Sequence, residues 1–234
     1  MNGEQVMFVA RKELNEIATN KGSWMSALGF SFLFALSNMG GFGDVAGGTA
    51  SIDWSIMYLS LFIGVFSGFV LCGSVFFREK QSGVIETLLC TPLNLRTIWL
   101  GKMLGVAIPS YLFALLSSGL LALFAYSSFT VAPLSPLVVL HLLVVAPLFT
   151  AAAIGIVGYI QLAMGMKENR LVSIGVFALL VGGLSASTAA VQQDASLVSA
   201  IVPVLLLASV ALIAISYALS TRLNKEKIVT SIPD

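Results

Sequence analysis

Charge is scarce in this sequence. Asp, Glu, Lys and Arg together make up 10% of the 234 residues, whereas hydrophobic residues make up 58%, and the mean hydropathy is +0.98. A water-soluble domain of this length needs a polar surface that such a composition does not supply. The sequence therefore predicts a membrane protein with little chain outside the lipid bilayer. The net charge of +1 comes with no concentrated basic face, so we expect no nucleic-acid partner.

Cysteine and histidine are also scarce. Cys72 and Cys90 have neither metal-binding nor redox spacing, so we interpret both as unpaired thiols and expect no metal site. The one histidine, His141, lies in an apolar run. It could line a transport pathway or touch haem, but a hydrogen bond between helices is the favoured interpretation.

No nucleotide-binding P-loop is present. The pair Gly101-Lys102 is followed by Met103 instead of Ser or Thr, and Arg96 stands where the first glycine should be. Titratable side chains form no catalytic cluster either. We therefore expect no enzyme activity and no cofactor bound by this chain.

Long uncharged runs dominate what is present. A transmembrane helix needs about 20 apolar residues, and uncharged runs occupy 22–43, 54–77, 103–166, 171–193 and 195–221. The third run is too long for one span, and the turn residues and prolines at 127–136 divide it. The sequence predicts an all-α membrane protein, a single domain over 1–234, with six spans near 23–42, 55–77, 103–126, 137–162, 171–191 and 197–220.

The loops between these spans differ in charge. All 12 Lys and Arg residues fall on one side, whereas the loops on the other side hold Asp44, Asp53 and Asp194 and no cation. The positive-inside rule then places both termini in the cytoplasm of a multi-pass cell-membrane protein. No Asp, Glu, Lys or Arg lies near the middle of a span, which favours an external energy source over proton or ion coupling.

The segment before the first span has a helical period. Its predicted apolar stripe consists of Val6, Ala10, Leu14 and Ile17, with Arg11, Lys12, Asn15 and Glu16 on other faces. Such a helix can lie in the membrane interface with its basic residues toward the headgroups. The alternative is a helix that packs on the rest of the protein.

The loop at 78–102 holds a second short amphipathic pattern. Ser82 is a candidate N-cap, and the pair Thr91-Pro92 ends the helix because a residue before proline avoids the α region. A helix of about two turns is not stable alone, so it needs a partner surface. A new helix is predicted to begin near Asn94. The apolar face of the short helix consists of Val84, Ile85, Leu88 and Leu89.

This loop resembles the segment after the second span in permeases of the ABC-2 transporter superfamily. The matching residues are Glu79, Lys80, Gly83, Glu86, Leu88, Leu89, Thr91, Pro92, Gly101 and Lys102. The resemblance implies a cytoplasmic coupling helix that docks on a separate ABC-type ATP-binding subunit, where ATP and Mg²⁺ are bound. It also implies a homo- or heterodimer of permeases and outward transport. The implied coupling residues are Glu79, Lys80, Gly83, Val84, Ile85, Glu86, Leu88, Leu89, Thr91 and Pro92.

Two other interpretations of the function stay open. One is a haem-exporter B-like permease of cytochrome c maturation, and the other is a non-transporting membrane scaffold. For a transporter, the Ser, Thr, Asn and aromatic side chains of the spans favour an amphipathic or hydrophobic substrate. The pair Gly64 and Gly68 is expected to serve close helix packing, within the subunit or across a dimer.

Overall fold

The structure is a computed structural model that describes residues 3–39, 49–84, 90–91, 93–129, 135–164, 166–193 and 197–221. Within these residues the chain is all-helical, with no strand. The predicted all-α fold class is therefore confirmed.

Within the described residues, seven helical elements follow one another, and two of them contain a π-helical segment. Helices α1 (Gly3–Thr19) and α2 (Lys21–Met39) are followed by α3, which comprises Thr49–Cys72, the π-helical Gly73–Phe77 and a last turn Arg78–Gln81. Helix α4 is Leu95–Phe129, and α5 comprises Pro136–Leu140, the π-helical His141–Val145 and Ala146–Ala163. Helices α6 (Met166–Gln193) and α7 (Leu197–Ser220) complete the described part of the chain.

Four of the six predicted spans correspond to helices that are long and apolar enough to cross a membrane. They are Ile52–Gln81, Leu95–Phe124, Pro136–Ala163 and Ala200–Ser220. Helices α2 and α6 carry shorter apolar stretches, Trp24–Phe34 and Leu171–Ala186. The four long helices make the chain a multi-pass membrane protein, and the count of six stays a prediction.

Local signals in the sequence account for two helix starts. Helix α4 begins directly after Asn94, as predicted, and the N–H of Ile98 donates to the Asn94 carbonyl at 3.1 Å. At the start of α5, Ser135 Oγ accepts from the N–H of Val138 at 3.4 Å, with Pro136 in the first turn. The predicted break at 127–136 thus separates two helices, although α4 continues to Phe129.

Helix α3 lies at the centre of the bundle, packed against α2, α4, α5 and α6. Its glycines allow a close approach to α5. A Cβ at Gly68 would lie 2.6 Å from Ile154 Cγ1, and a Cβ at Gly64 would overlap Thr150 Oγ1. The structure therefore places the predicted packing pair at a contact within one chain.

Helices α4 and α7 present apolar side chains outward. Leu112, Leu116 and Leu123 of α4 and Val204 and Leu207 of α7 are each more than half exposed. Exposed aliphatic surface of this extent suits contact with lipid acyl chains.

Candidate functional site

Helix α1 packs along α4. Its buried positions are Val6, Val9, Ala10, Glu13 and Ile17. The predicted stripe was therefore right at three positions, but Leu14 is only partly buried and the carboxylate residue Glu13 takes its place in the contact. Met7 and Phe8 face outward, 64% and 74% exposed. The packed alternative thus describes α1, and its location in the membrane interface stays a prediction.

Two glycines of α4 make this contact close. A Cβ at Gly101 would lie 2.5 Å from Val9 Cβ, and one at Gly105 would lie 2.6 Å from Glu13 Cβ. Glycines four residues apart lie on one face of a helix and let a neighbouring backbone approach. Gly101 therefore belongs to the surface that receives α1, a role that the sequence analysis did not assign to it.

Four charged side chains meet where α1, α3 and α4 converge. We call Lys12, Glu13, Glu79 and Lys102 the charge cluster. Lys102 Nζ lies 2.8 Å from Glu13 Oε1 and 2.6 Å from Glu79 Oε2. Lys12 Nζ lies 3.5 Å from Glu13 Oε1 and 3.4 Å from Glu79 Oε1. Each carboxylate therefore contacts both ammonium groups, and the four charges sum to zero.

Burial makes the ion pairs of the charge cluster important for stability. The side chains of Glu13 and Lys102 are fully buried, and that of Glu79 is 7% exposed. Lys102 Nζ also lies 5.8 Å from the centre of the Phe76 ring, at the apolar side of the charge cluster. Removing one partner from a buried ion pair leaves an uncompensated charge, which typically costs about 3–5 kcal/mol.

Lys12 is the solvent-exposed member of the charge cluster, with 46% of its side chain accessible. Partial burial lowers the pKa of Lys12, but the carboxylates of Glu13 and Glu79 outweigh burial, so the net pKa is raised above 10.5. A raised pKa of a cationic group in the folded state means that its stabilising contribution is fully present below pH 10.5 and is lost as the pH rises through the raised value.

Three carboxylates of this region, those of Glu13, Glu16 and Glu79, lie within 4.8 Å of one another. Two lysine ammonium groups already contact them. Lys12 contacts all three carboxylates and Lys102 contacts those of Glu13 and Glu79, so two positive charges face three negative ones.

Lys80 points to a different helix from its neighbour Glu79. Its Nζ donates to the carbonyls of Leu162, at 3.1 Å, and Met164. These carbonyls lie at the end of α5, where helix carbonyls lack intrahelical partners and the helix dipole favours a cation. Lys80 therefore caps α5 while Glu79 joins α3 to α1 and α4.

Helix α3 ends immediately after this pair. The N–H of Ser82 donates to the Arg78 carbonyl at 3.0 Å, and Ser82 Oγ donates to the Glu79 carbonyl at 3.2 Å. Gly83 has a φ of +71°, a left-handed conformation that glycine adopts at low cost after a helix. The described hydrogen bonds of Ser82 therefore belong to the end of α3, and its role as N-cap of the helix that follows stays a prediction.

The structure separates the predicted coupling residues into two groups. Glu79 and Lys80 are buried and contact other helices of the same chain. Val84 is exposed, and Thr91 is partly buried. The predicted residues Ile85, Glu86, Leu88, Leu89 and Pro92 lie outside the described residues.

His141 is buried in the π-helical segment of α5. The ring lies beside the backbone of Met57 in α3, but neither nitrogen reaches hydrogen-bonding geometry with any residue that the structure describes. Its contact is thus between helices, and the hydrogen bond expected from the sequence stays a prediction.

Glu13 is the site residue that the sequence analysis missed. The positions 6, 10, 13 and 17 fit a helical stripe as well as 6, 10, 14 and 17 do. A carboxylate on an apolar stripe is a signal, because a buried charge requires an opposite charge. The position of Glu13 on this stripe therefore predicts a cationic partner, but it does not identify which lysine provides the charge.

Comparison with known protein families gives one match. The model of the ABC-2 family transporter protein matches residues 19–184, which is more than half of the chain and includes Glu79, Lys80 and Lys102. A comparison with curated proteins found no match. Members of this family are transmembrane components of transporters and are not themselves catalytic. The chain, with its membrane-spanning helices and its matched segment, belongs to the ABC-2 transporter family as a membrane permease.

Proposed function

We propose that this chain is the permease subunit of an ATP-binding cassette exporter, driven by ATP hydrolysis in a separate subunit. The observation that carries the proposal is the position of the charge cluster at the base of the 78–102 loop. Glu79 precedes the loop and Lys102 follows it, and the two side chains meet at 2.6 Å.

The charge cluster connects the loop to several helices. Glu79 and Lys102 join α3 to α4, and Glu13 adds α1. Lys80 extends the connection to the end of α5. Force applied to the loop would therefore move four helices together, since buried ion pairs with short distances resist separation.

The docking surface in this proposal is the exposed part of the loop. Val84 is 45% exposed, and Ile85, Glu86, Leu88 and Leu89 follow it in the sequence. Their apolar side chains would enter a groove of the ATP-binding subunit, where ATP and Mg²⁺ are bound. Glu79 and Lys80 would act behind this surface, by holding the loop to the bundle.

The remaining features of the proposal come from the sequence. In the proposed topology the chain crosses the cell membrane six times, and α2 and α6 form the first and fifth spans. Both termini then lie in the cytoplasm, because every Lys and Arg falls on that side of the membrane. Two permease chains, identical or related, would form the transport unit. The substrate is amphipathic or hydrophobic, and the direction is outward.

Affinity capture of the chain from gently solubilised native membranes tests the proposal. We expect a stoichiometric partner that carries a Walker A motif and hydrolyses ATP. Capture without such a partner, under conditions that keep other ABC transporters assembled, would favour the scaffold interpretation.

Variants then locate the docking surface. Leu88→Asp and Glu86→Ala should reduce recovery of the ATPase while the permease still folds. The matched control is Ala18→Asp, which places a carboxylate at an exposed position of α1. Equal recovery of the ATPase with all three variants would contradict a coupling role for the loop.

A further inference from the structure

A cleft lies beside the last turns of α3. It is formed by the last turns of α3, the end of α5 and the first half of α6, and has a volume of about 410 Å³. Ligand pockets for small molecules typically occupy about 300–1,000 Å³. The cleft is therefore large enough for an acyl chain or a compact apolar molecule.

The chemistry of its walls is distinctive. Phe69, Val70, Phe77 and Ile174 supply apolar surface. Gln161 and Ser173, which are 5% and 4% exposed, are the polar side chains in the lining. All of the lining residues that the structure describes are uncharged, so these walls offer hydrogen bonds to a headgroup but no counter-charge to an ion.

Gln161 and Ser173 can serve a ligand while keeping their contacts within the protein. A primary amide has two donor hydrogens and an oxygen with two acceptor positions, and a hydroxyl both donates and accepts. A headgroup with hydroxyls matches this combination. A bare ion would lose its hydration in such a site without gaining an opposite charge.

An aromatic row continues from the cleft along α3. Phe69 lies 4.7 Å from Phe177 between ring centres, and Phe177 lies 5.9 Å from Phe66. Phe62 and Tyr58 extend the row along the same face of α3, at ring separations of 6.3 Å and 5.9 Å. Phe30 and Phe34 of α2 stack on Phe66 and Phe62, at ring separations of 3.7 Å and 4.1 Å. Phe69 and Phe177, at the end of the row next to the cleft, are partly exposed and offer an apolar surface to a chain that is longer than the cleft.

The mouth of the cleft lies beside apolar side chains that face outward. Ile174 is 50% exposed and Leu171, one turn earlier on α6, is 77% exposed. In a membrane protein such residues contact lipid acyl chains. A molecule dissolved in the bilayer would therefore meet apolar side chains of α6 beside the cleft.

We propose that this cleft binds a neutral amphipathic molecule from the bilayer, with a hydroxyl-bearing headgroup at Gln161 and Ser173 and an alkyl chain along Phe69 and Phe177. Binding requires no ATP. That the bound molecule is the transported substrate rests on the proposed function.

The first experiment measures binding alone. The purified chain in phosphatidylcholine nanodiscs is exposed to a monoacylglycerol with a photoreactive diazirine in its acyl chain, and labelled peptides are mapped by mass spectrometry. We expect saturable labelling of the α3 segment 69–77 and of the α6 segment near 173–174. Unlabelled monoacylglycerol should compete, and a fatty acid anion or an alkyltrimethylammonium of equal chain length should compete at least about tenfold less well, because the described walls of the cleft offer them no counter-charge.

Gly73→Leu tests the location of the site. A Cβ at Gly73 would have no atom within 4 Å, so the leucine would fill open space in the cleft and reduce saturable labelling at least about tenfold by removing apolar contact. The matched control is Gly119→Leu in α4, where a Cβ also has no atom within 4 Å, and its labelling should equal that of the wild type.

Gln161→Leu tests the headgroup contact independently. This variant should retain labelling by the alkyl probe but lose the preference for monoacylglycerol over an alkyl methyl ether of equal length. Size-exclusion profiles of all variants show whether they fold.

Three results would overturn the binding proposal. The first is non-saturable labelling spread equally over Leu112 and Leu116 of α4, as for lipid that merely surrounds the protein. The second is unchanged labelling in Gly73→Leu. The third is a cleft that stays unlabelled in the dimer while α4 is labelled, which would mean that a second copy covers it.

A second experiment distinguishes a transported substrate from a resident lipid as the molecule in the cleft. Once the ATPase partner has been captured, ATP is added to the probe-loaded complex before photolysis. Release of the probe on ATP hydrolysis identifies the site as one for transported substrate, whereas retention identifies it as a site for a resident lipid. Failure to find an ATPase would remove this experiment and leave the binding result intact.

Discussion

Two regions of the molecule bury polar groups in different ways. One is the contact between α1 and α4, and the other is the cleft beside α3. At the first, glycines bring two backbones together and four charges close on one another. At the second, the helices stand apart, and an amide and a hydroxyl line an apolar cavity. A buried charge needs an opposite charge within the same protein, whereas a neutral polar group that is hydrogen-bonded within the protein can also form a hydrogen bond with a ligand. The first arrangement therefore fixes helices, and the second leaves room for a molecule to enter.

Lys102→Met should produce the largest loss of stability. Methionine keeps much of the side-chain volume but leaves the buried Glu13 and Glu79 with only the half-exposed Lys12, at an expected cost of about 3–5 kcal/mol in the free energy of unfolding. Thermal unfolding in detergent measures it. Lys21→Met, which removes an exposed lysine, should change stability by less than about 0.5 kcal/mol.

Coupling within the charge cluster can be checked with a second substitution. If Glu13 and Lys102 act as a pair, Glu13→Gln in the Lys102→Met background should cost less than Glu13→Gln alone. Additive effects would show that the two residues stabilise the protein separately, against the geometry of the charge cluster.

Lys80→Met should have the next largest effect. It removes two charge-assisted hydrogen bonds to carbonyls at the end of α5, and hydrogen bonds to charged groups contribute about 1.5–3 kcal/mol. Differential scanning fluorimetry compares this variant with Lys80→Arg, which restores a cation and should recover part of the loss. Equal melting temperatures for Lys80→Met and the wild type would exclude a capping role.

Gly105→Leu should separate α1 from α4, so that the helices at this contact stand apart as they do at the cleft. Its side chain would overlap Glu13 Cβ and the Ala10 carbonyl, so α1 must move away. We expect the free energy of unfolding to fall by about 1–3 kcal/mol, as in overpacked cores. Gly119→Leu, on the same helix but in open space, is the control. Unfolding curves that coincide for the two variants would refute the close approach of α1.

Lys12→Met should have the smallest effect, about 0.2–1 kcal/mol, because Lys12 is half-exposed and solvent screens its ion pairs. The raised pKa of Lys12 keeps it charged, so the difference between variant and wild type should be the same at pH 7 and pH 9. A difference that vanishes by pH 9 would mean that the pKa of Lys12 is lowered instead. Added salt should reduce the difference.

Local signals predicted some parts of the fold well. The start of α4 after Asn94 and the end of α5 near 162 follow from composition and turn residues close in the sequence. The first and fifth spans were harder, because α2 and α6 have apolar stretches shorter than a full span within their described residues. The position of Glu13 was missed because a helical stripe tolerates a shift of one residue, and only packing against α4 chose between Glu13 and Leu14.

The sequence by itself determined that this chain is a helical membrane protein, because the amount and spacing of apolar residues leave no other way to bury them. It also determined where the charged loop between the second and third spans lies. Only the tertiary structure decided what the charges do. Glu13 and Lys102 are 89 residues apart, and Glu79 and Lys80 are adjacent yet contact different helices. Helical periodicity is a local property, whereas an ion pair depends on which helices pack together and at what depth, so the pairing appears only when the bundle is assembled.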